Sequence, residues 1–215
     1  ALEMDDKDPE LWTHKAALLD ELLRAEDALK AYAAAASFAR DAGPFERLAE
    51  ALIRSGRPAD ALAPSEDACS RFPQDPRGWR AAGRARFALG DAAGALPLLE
   101  KSSELRDEPR TRVDRARALA ALGRFDEAVG LMDGLVSPDA EAHLVRADLF
   151  HALGRTDEAV AACEAAARAD PDARDVAYHR KGQLLLAAGR PKEAAAAFDM
   201  ALGLRSGEAE YWCDA

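Results

Sequence analysis

The chain has 215 residues, 49% apolar but only 6% aromatic, with 32% charged and a formal net charge of −10. That acidic balance argues against a general nucleic-acid binder, whose phosphate contacts need a basic surface. No apolar run approaches the roughly 18 residues of a membrane span.

Taken in order, the chain is punctuated by six related heptapeptides: LLRAEDA at 22–28, SGRPADA at 55–61, LGDAAGA at 89–95, LGRFDEA at 122–128, LGRTDEA at 153–159 and AGRPKEA at 188–194. In five of them a glycine follows an Ala-rich run, where it can take the left-handed conformation that closes a helix. Carboxylates such as Asp126, Glu127, Asp157 and Glu158 then fall where the next helix begins, at the positive end of its dipole. Each heptapeptide is therefore a helix stop followed by a helix start. The final alanines stand at 28, 61, 95, 128, 159 and 194, a period near 34. Two helices per period divide the chain into a single array of six units, at about 9–41, 42–75, 76–108, 109–139, 140–174 and 175–208. Residues 1–8 read as the end of a preceding unit. Residues 209–215, with Trp212 at the aromatic position, read as the start of a seventh, so the chain is expected to be an excerpt from a longer array.

The period and the residues that keep it resemble the tetratricopeptide repeat family from end to end. An aromatic stands fourth in most units (Trp12, Phe45, Trp79, Tyr178 and Trp212). Ala16, Ala49, Gly83, Ala116, Ala147 and Gly182 stand eighth, and Tyr32, Leu99, Met132 and Phe198 twenty-fourth. The resemblance implies an all-α solenoid of helix-turn-helix repeats forming a right-handed superhelix, whose first helices line a concave face. The function it implies is a non-catalytic scaffold presenting a groove to a peptide or domain of a partner protein. The alternative is a regulatory or ligand-sensing segment of a larger enzyme or transcription regulator.

Departures from the pattern carry their own expectations. Unit 4 has Arg112 in the aromatic place, two helix glycines (Gly130 and Gly134) and a second helix cut short by Ser137 and Pro138, so it reads as the soft joint. Pro58 and Pro191 fall at first positions of second helices, where proline is tolerated. Pro64 and Pro97 fall about two turns in, where each should bend its helix.

Concave positions run basic in the middle of the array. Arg77, Arg80, Arg84, Arg110 and Arg117 fall on the inner face of units 3 and 4, with Phe87 and Ile53 as apolar neighbours. Residues 76–138 carry 11 Lys+Arg and 9 Asp+Glu, net +2, in an otherwise acidic chain. One reading makes this patch the site for an acidic or phosphorylated segment, because guanidinium forks suit carboxylates and phosphates. The other pairs these arginines with Glu46, Glu50, Glu141 and Asp148 of adjacent units. Thr13, Ala17 and Arg47 do not match the lysine and asparagines of the family's chaperone-binding clamp. Pentatricopeptide-type RNA reading needs a basic inner face and fits worse.

Catalysis is not expected. His14, His143, His151 and His179 have no partner at metal-ligand or nucleophile spacing, although His151 and His179 read as inward. No cofactor or metal is implied. Cys69, Cys163 and Cys213 form no CxxC pair and read as buried or free thiols in a reducing compartment. With arginines outnumbering lysines 23 to 6, the expectation is a cytoplasmic bacterial or archaeal protein.

Overall fold

The structure, a computed structural model, describes residues 7–205. Among them every regular element is helical: α1 (Pro9–Glu21), α2 (Ala25–Ser37), α3 (Gly43–Arg54), α4 (Leu62–Arg71), α5 (Pro76–Ala88), α6 (Ala92–Leu105), α7 (Pro109–Ala121), α8 (Phe125–Asp133), α9 (Ala140–Ala152), α10 (Thr156–Ala169), α11 (Arg174–Ala187) and α12 (Pro191–Arg205), with a short 3-10 turn at Pro171–Ala173. They fall two to a repeat. The readings placed on residues 1–6, Trp212 and Cys213 lie outside the described residues.

All six first helices stop in the same way. The residue after the left-handed position donates its amide back five residues, as in Arg124 to the Leu119 carbonyl at 2.9 Å, Arg155 to Phe150 at 2.8 Å and Arg190 to Leu185 at 2.9 Å. Gly56, Gly90, Gly123, Gly154 and Gly189 hold φ between 72° and 84° there; in the first repeat Leu23 takes the same place at φ 57°. In five repeats the arginine that follows bonds a carboxylate three residues on, four of them through two bonds, for example Arg124 onto Glu127 at 2.7 and 2.6 Å. In the third repeat Asp91 replaces it and caps the Gly94 amide at 2.8 Å.

The second helix of repeat 2 departs from expectation. α4 begins only at Leu62, and residues 57–62 make i→i+3 bonds such as Ala61 to the Pro58 carbonyl at 3.2 Å. Pro58 therefore lies in a turn rather than at a helix start. Pro64 lies in the first turn of α4 rather than two turns in. Its ring would clash with the carbonyl four residues back, so a helix running from 58 through 64 would be kinked or broken there, and this one starts late instead. Pro97 remains inside α6, and Pro191 opens α12 as expected.

The chain divides into two compact units, Ala1–Ala118 and Leu119–Ala215, with the division inside α7. In each unit the core is small residues facing large ones. Gly83 of α5 is buried against Leu99 of α6, and a Cβ added there would meet Leu99 Cγ at 2.6 Å. In the second unit Gly182 of α11 faces Phe198 of α12, where an added Cβ would meet the ring at 2.6 Å. Glycine is what permits these approaches. The hydroxyls buried with this core are satisfied: Ser102 donates to the Pro76 carbonyl at 2.9 Å and Ser65 to Ala61 at 2.7 Å.

Candidate functional site

The first helices of the first unit bring the basic inner positions and their carboxylates together. Arg80, on α5, is only 6% exposed. Its Nη1 donates to Glu46 Oε1 of α3 at 2.7 Å and its Nε to Asp114 Oδ2 of α7 at 2.8 Å, with Glu50 Oε1 at 3.7 Å from Nη2. One guanidinium thus ties three consecutive repeats. Arg84, one turn on, bonds Glu50 and lies 3.8 Å from Asp114 Oδ1.

Burial sets the electrostatics of this cluster. Desolvation lifts the carboxyls of Glu46 and Asp114 above the usual carboxylate range, against the opposing pull of Arg80. Burial also disfavours the charge on Arg80, but Asp114 and Glu46 outweigh it and hold the guanidinium protonated. Arg117, half-buried, adds its positive field at Asp114.

The remaining predicted arginines sit differently. Arg77 forks onto Asp75 at 3.0 and 2.7 Å and reaches Asp41 at 3.2 Å. Gly43 leaves room for this, since a Cβ there would meet Arg77 Nη1 at 2.6 Å. Asp75 caps the Arg77 amide and accepts the Ala42 amide at 3.1 Å; burial works against its charge, but these bonds prevail and hold its carboxyl below the usual range. Arg110 is exposed, and Phe87 and Ile53 are half-buried, Ile53 against the core. Asp148 receives Arg180 of α11, at 2.6 Å. His179 is exposed, with its ring 5.6 Å from Phe198 of α12.

A groove of about 780 Å³ opens beside Arg77, between α1, the α2–α3 connection and α3. Its cations are Arg40, Arg47 and Arg77, with His14 on the α1 wall. Of its acids, Glu10 is exposed, while Asp8 and Asp41 are committed. Asp8 caps Glu10 at 2.8 Å, and Asp41 holds both the Gly43 amide, at 2.8 Å, and Arg77. Arg40 and Arg47 are exposed and form no ion pair among the described residues, so the groove's accessible positive charge comes from them.

Two features escape a reading by repeat position. Asp114 falls at none of the inner positions, although its 34-residue spacing from Arg80, and that of Arg80 from Glu46, is a usable signal. Arg40 sits in a connection rather than on a helix, where helical periodicity is silent. Among the described residues no group of three or more His, Cys, Asp or Glu side chains could hold a metal, and no helix is long and apolar enough to cross a membrane.

Four family models, each described as a tetratricopeptide repeat, match residues 42–85, 76–101, 113–174 and 150–212. No curated protein matches the sequence. Among solved structures, a thermophilic TPR protein of Thermus thermophilus superposes with a TM-score of 0.73 at 23% identity, covering 83% of this chain and 99% of that one. A tetratricopeptide repeat protein from Parabacteroides merdae gives 0.71 at 22%, covering 91% and 78%. YrrB, described as a TPR protein with an unusual peptide-binding site, gives 0.54 at 20%, covering 77% and 87%.

Proposed function

Since the chain belongs to the tetratricopeptide repeat family, whose members serve as protein-interaction scaffolds, we propose that it works without catalysis by seating an acidic or phosphorylated segment of a partner protein in the groove of its first unit. The observation that carries this reading is the pair of exposed, unpaired guanidiniums, Arg40 and Arg47, beside a groove in which two of the three acids, Asp8 and Asp41, are committed to caps and to Arg77 and the third, Glu10, is exposed at the α1 edge. Arg77 and Arg110 are the accessible members of the arginine patch in the same unit. Arg80, Arg84 and Arg117 act from beneath, holding the repeats that carry the groove. Phe87 and Ile53 are half-buried in the same unit and do not line the groove.

YrrB's peptide-binding site, in a chain of the same fold, supports a peptide as the class of ligand. Exposed charges in an open groove favour modest affinity, about micromolar or roughly −8 kcal/mol, weakening with salt as screening acts on them. The free thiols Cys69 and Cys163 support a reducing, cytoplasmic setting.

The test uses a fluorescent Asp/Glu-rich peptide and its phosphoserine counterpart, titrated with the intact chain at low and high salt. Saturable, salt-sensitive binding that Arg47→Glu removes, and that the exposed control Arg168→Glu leaves intact, is the expected result. Equal binding by the two variants overturns the assignment.

A further inference from the structure

The connection between α2 and α3, residues 38–42, carries Arg40 and Asp41 to the groove. Its backbone is held on both sides of them. Before them, the Ala39 carbonyl accepts from Nη2 of Arg71, in the last turn of α4, at 3.1 Å. After them, the Ala42 amide donates to Asp75 Oδ2 at 3.1 Å, and Asp41 itself holds the Gly43 amide and Arg77. Arg40 is thus an exposed guanidinium, forming no ion pair among the described residues, on a fixed stretch of backbone.

Arg71 is itself fixed. Its guanidinium carbon lies 5.1 Å from the ring centroid of Phe45 on α3 and 5.2 Å from that of Phe72, within cation–π range of both. Nη1 reaches Asp67, one turn back, at 3.4 Å. A planar fork of donors can serve two rings, a carboxylate and a carbonyl together, where a lysine would offer a single point charge. Arg71 does not line the groove.

The repeats set this clasp apart. Arg71 stands ten residues after Ala61, the closing alanine of its heptapeptide, and Arg40 twelve residues after Ala28. At the tenth place the other repeats carry Phe38, Leu105, Pro138, Ala169 and Leu204, and at the twelfth none of the others has an arginine. An arginine on a connection and an arginine holding that connection occur together, and once.

Resting on the groove assignment above, we infer that Arg71 is a positioning residue for the ligand. It touches no ligand; by holding the Ala39 carbonyl it keeps Arg40 where the ligand's acid arrives. Ordering that binding would otherwise have to impose is done in advance, so the hold is read as affinity.

A double-mutant cycle on the intact chain tests this, with the fluorescent Asp/Glu-rich peptide as probe and urea denaturation confirming that each variant is folded. Arg71→Met keeps an unbranched stem between the rings and removes the donors. It should weaken peptide binding about three- to tenfold, and no further once Arg40→Met is in place. Without peptide, the Ala42 amide should exchange about threefold faster or more in Arg71→Met, while the amides of α11 keep their rates. Equal weakening with and without Arg40 makes Arg71 a general support of the unit and overturns the inference. Wild-type affinity or unchanged Ala42 exchange in Arg71→Met does the same. Peptide binding that survives Arg47→Glu strikes the groove assignment and this inference with it, a failure of the groove rather than of the clasp.

Discussion

Arg80 in the first unit and Arg180 in the second both reach a carboxylate of the preceding repeat, 34 and 32 residues back, yet they do different work. Arg80 also has an acid in the following repeat, Asp114; both of these are buried, and Glu46 is largely so. Arg180 meets Asp148 and Gln183 in the open, with more than a third of its side chain exposed. The same charge pairing is an internal fastening in one place and a solvated contact in the other. What separates them is how much of the pair's hydration folding removes. An exposed pair trades water for a partner at little net gain, whereas a buried one cannot lose a partner without stranding a charge.

The largest expected effect follows from that contrast. Arg80→Met leaves Glu46 and Asp114 buried without their cation and should cost about 3–5 kcal/mol of unfolding free energy. Arg180→Met should cost about 0–1 kcal/mol. Urea denaturation of both variants measures the difference, and equal losses would break the comparison.

Core contacts sharpen it at the next level. Gly83→Ala drives a methyl against Leu99, which is fully buried, while Gly182→Ala meets the partly exposed Phe198. Overpacking costs about 1–3 kcal/mol, and the helix-propensity gain of alanine offsets up to about 1 kcal/mol of it. Gly83→Ala should therefore be the more destabilising of the two by thermal melt.

Acid should also separate the regions. Glu46 and Asp114 are raised by burial, so the stability they contribute is fully present below their unfolded pKa, about 4, and is lost as pH rises through their folded values. Glu127, Glu158 and Glu193 of the second unit are lowered by hydrogen bonds from Arg124, Arg155 and Arg190. Their contribution is present above the unfolded value and is lost as pH falls through the folded one. Carboxyl titration by NMR should place the first pair above, and the second three below, the ordinary range. Arg80→Met should accordingly regain part of its lost stability as pH falls toward about 5.

The smallest expected effects are gains. Leu23→Gly should relieve a left-handed leucine that is 92% exposed, adding up to about 1 kcal/mol. Gly130→Ala on the exposed side of α8, where an added Cβ meets nothing within 4 Å, should add a similar amount. Chemical denaturation reads both.

The helix pairs and their glycine stops are legible in the sequence because they rest on local chemistry: a left-handed glycine, an acid in the next first turn, and a small residue where two helices cross. The late start of α4 is less so. Distance from the preceding glycine puts Pro58 at a helix start and Pro64 two turns in, but α4 starts only at Leu62, which leaves Pro64 in its first turn, whereas Pro97 is carried inside α6. At the candidate site, position along the repeat locates the arginines, and the pairing of Arg80 with Glu46 and of Arg84 with Glu50 is one of the two readings the sequence allows. Burial is not legible, because it depends on how three repeats close over one guanidinium, and Arg40 and Arg47 stand outside the patch that periodicity picks out.

The most direct test of the division between fastening and recognition compares Arg47→Glu with Arg84→Glu, measuring urea stability and acidic-peptide affinity on the same samples. Arg47→Glu should keep wild-type stability and lose peptide binding, while Arg84→Glu, placed against Glu50 and Asp114, should lose stability in unit 1. An Arg84→Glu chain as stable as the wild type but unable to bind, beside an Arg47→Glu chain that binds normally, would contradict that division.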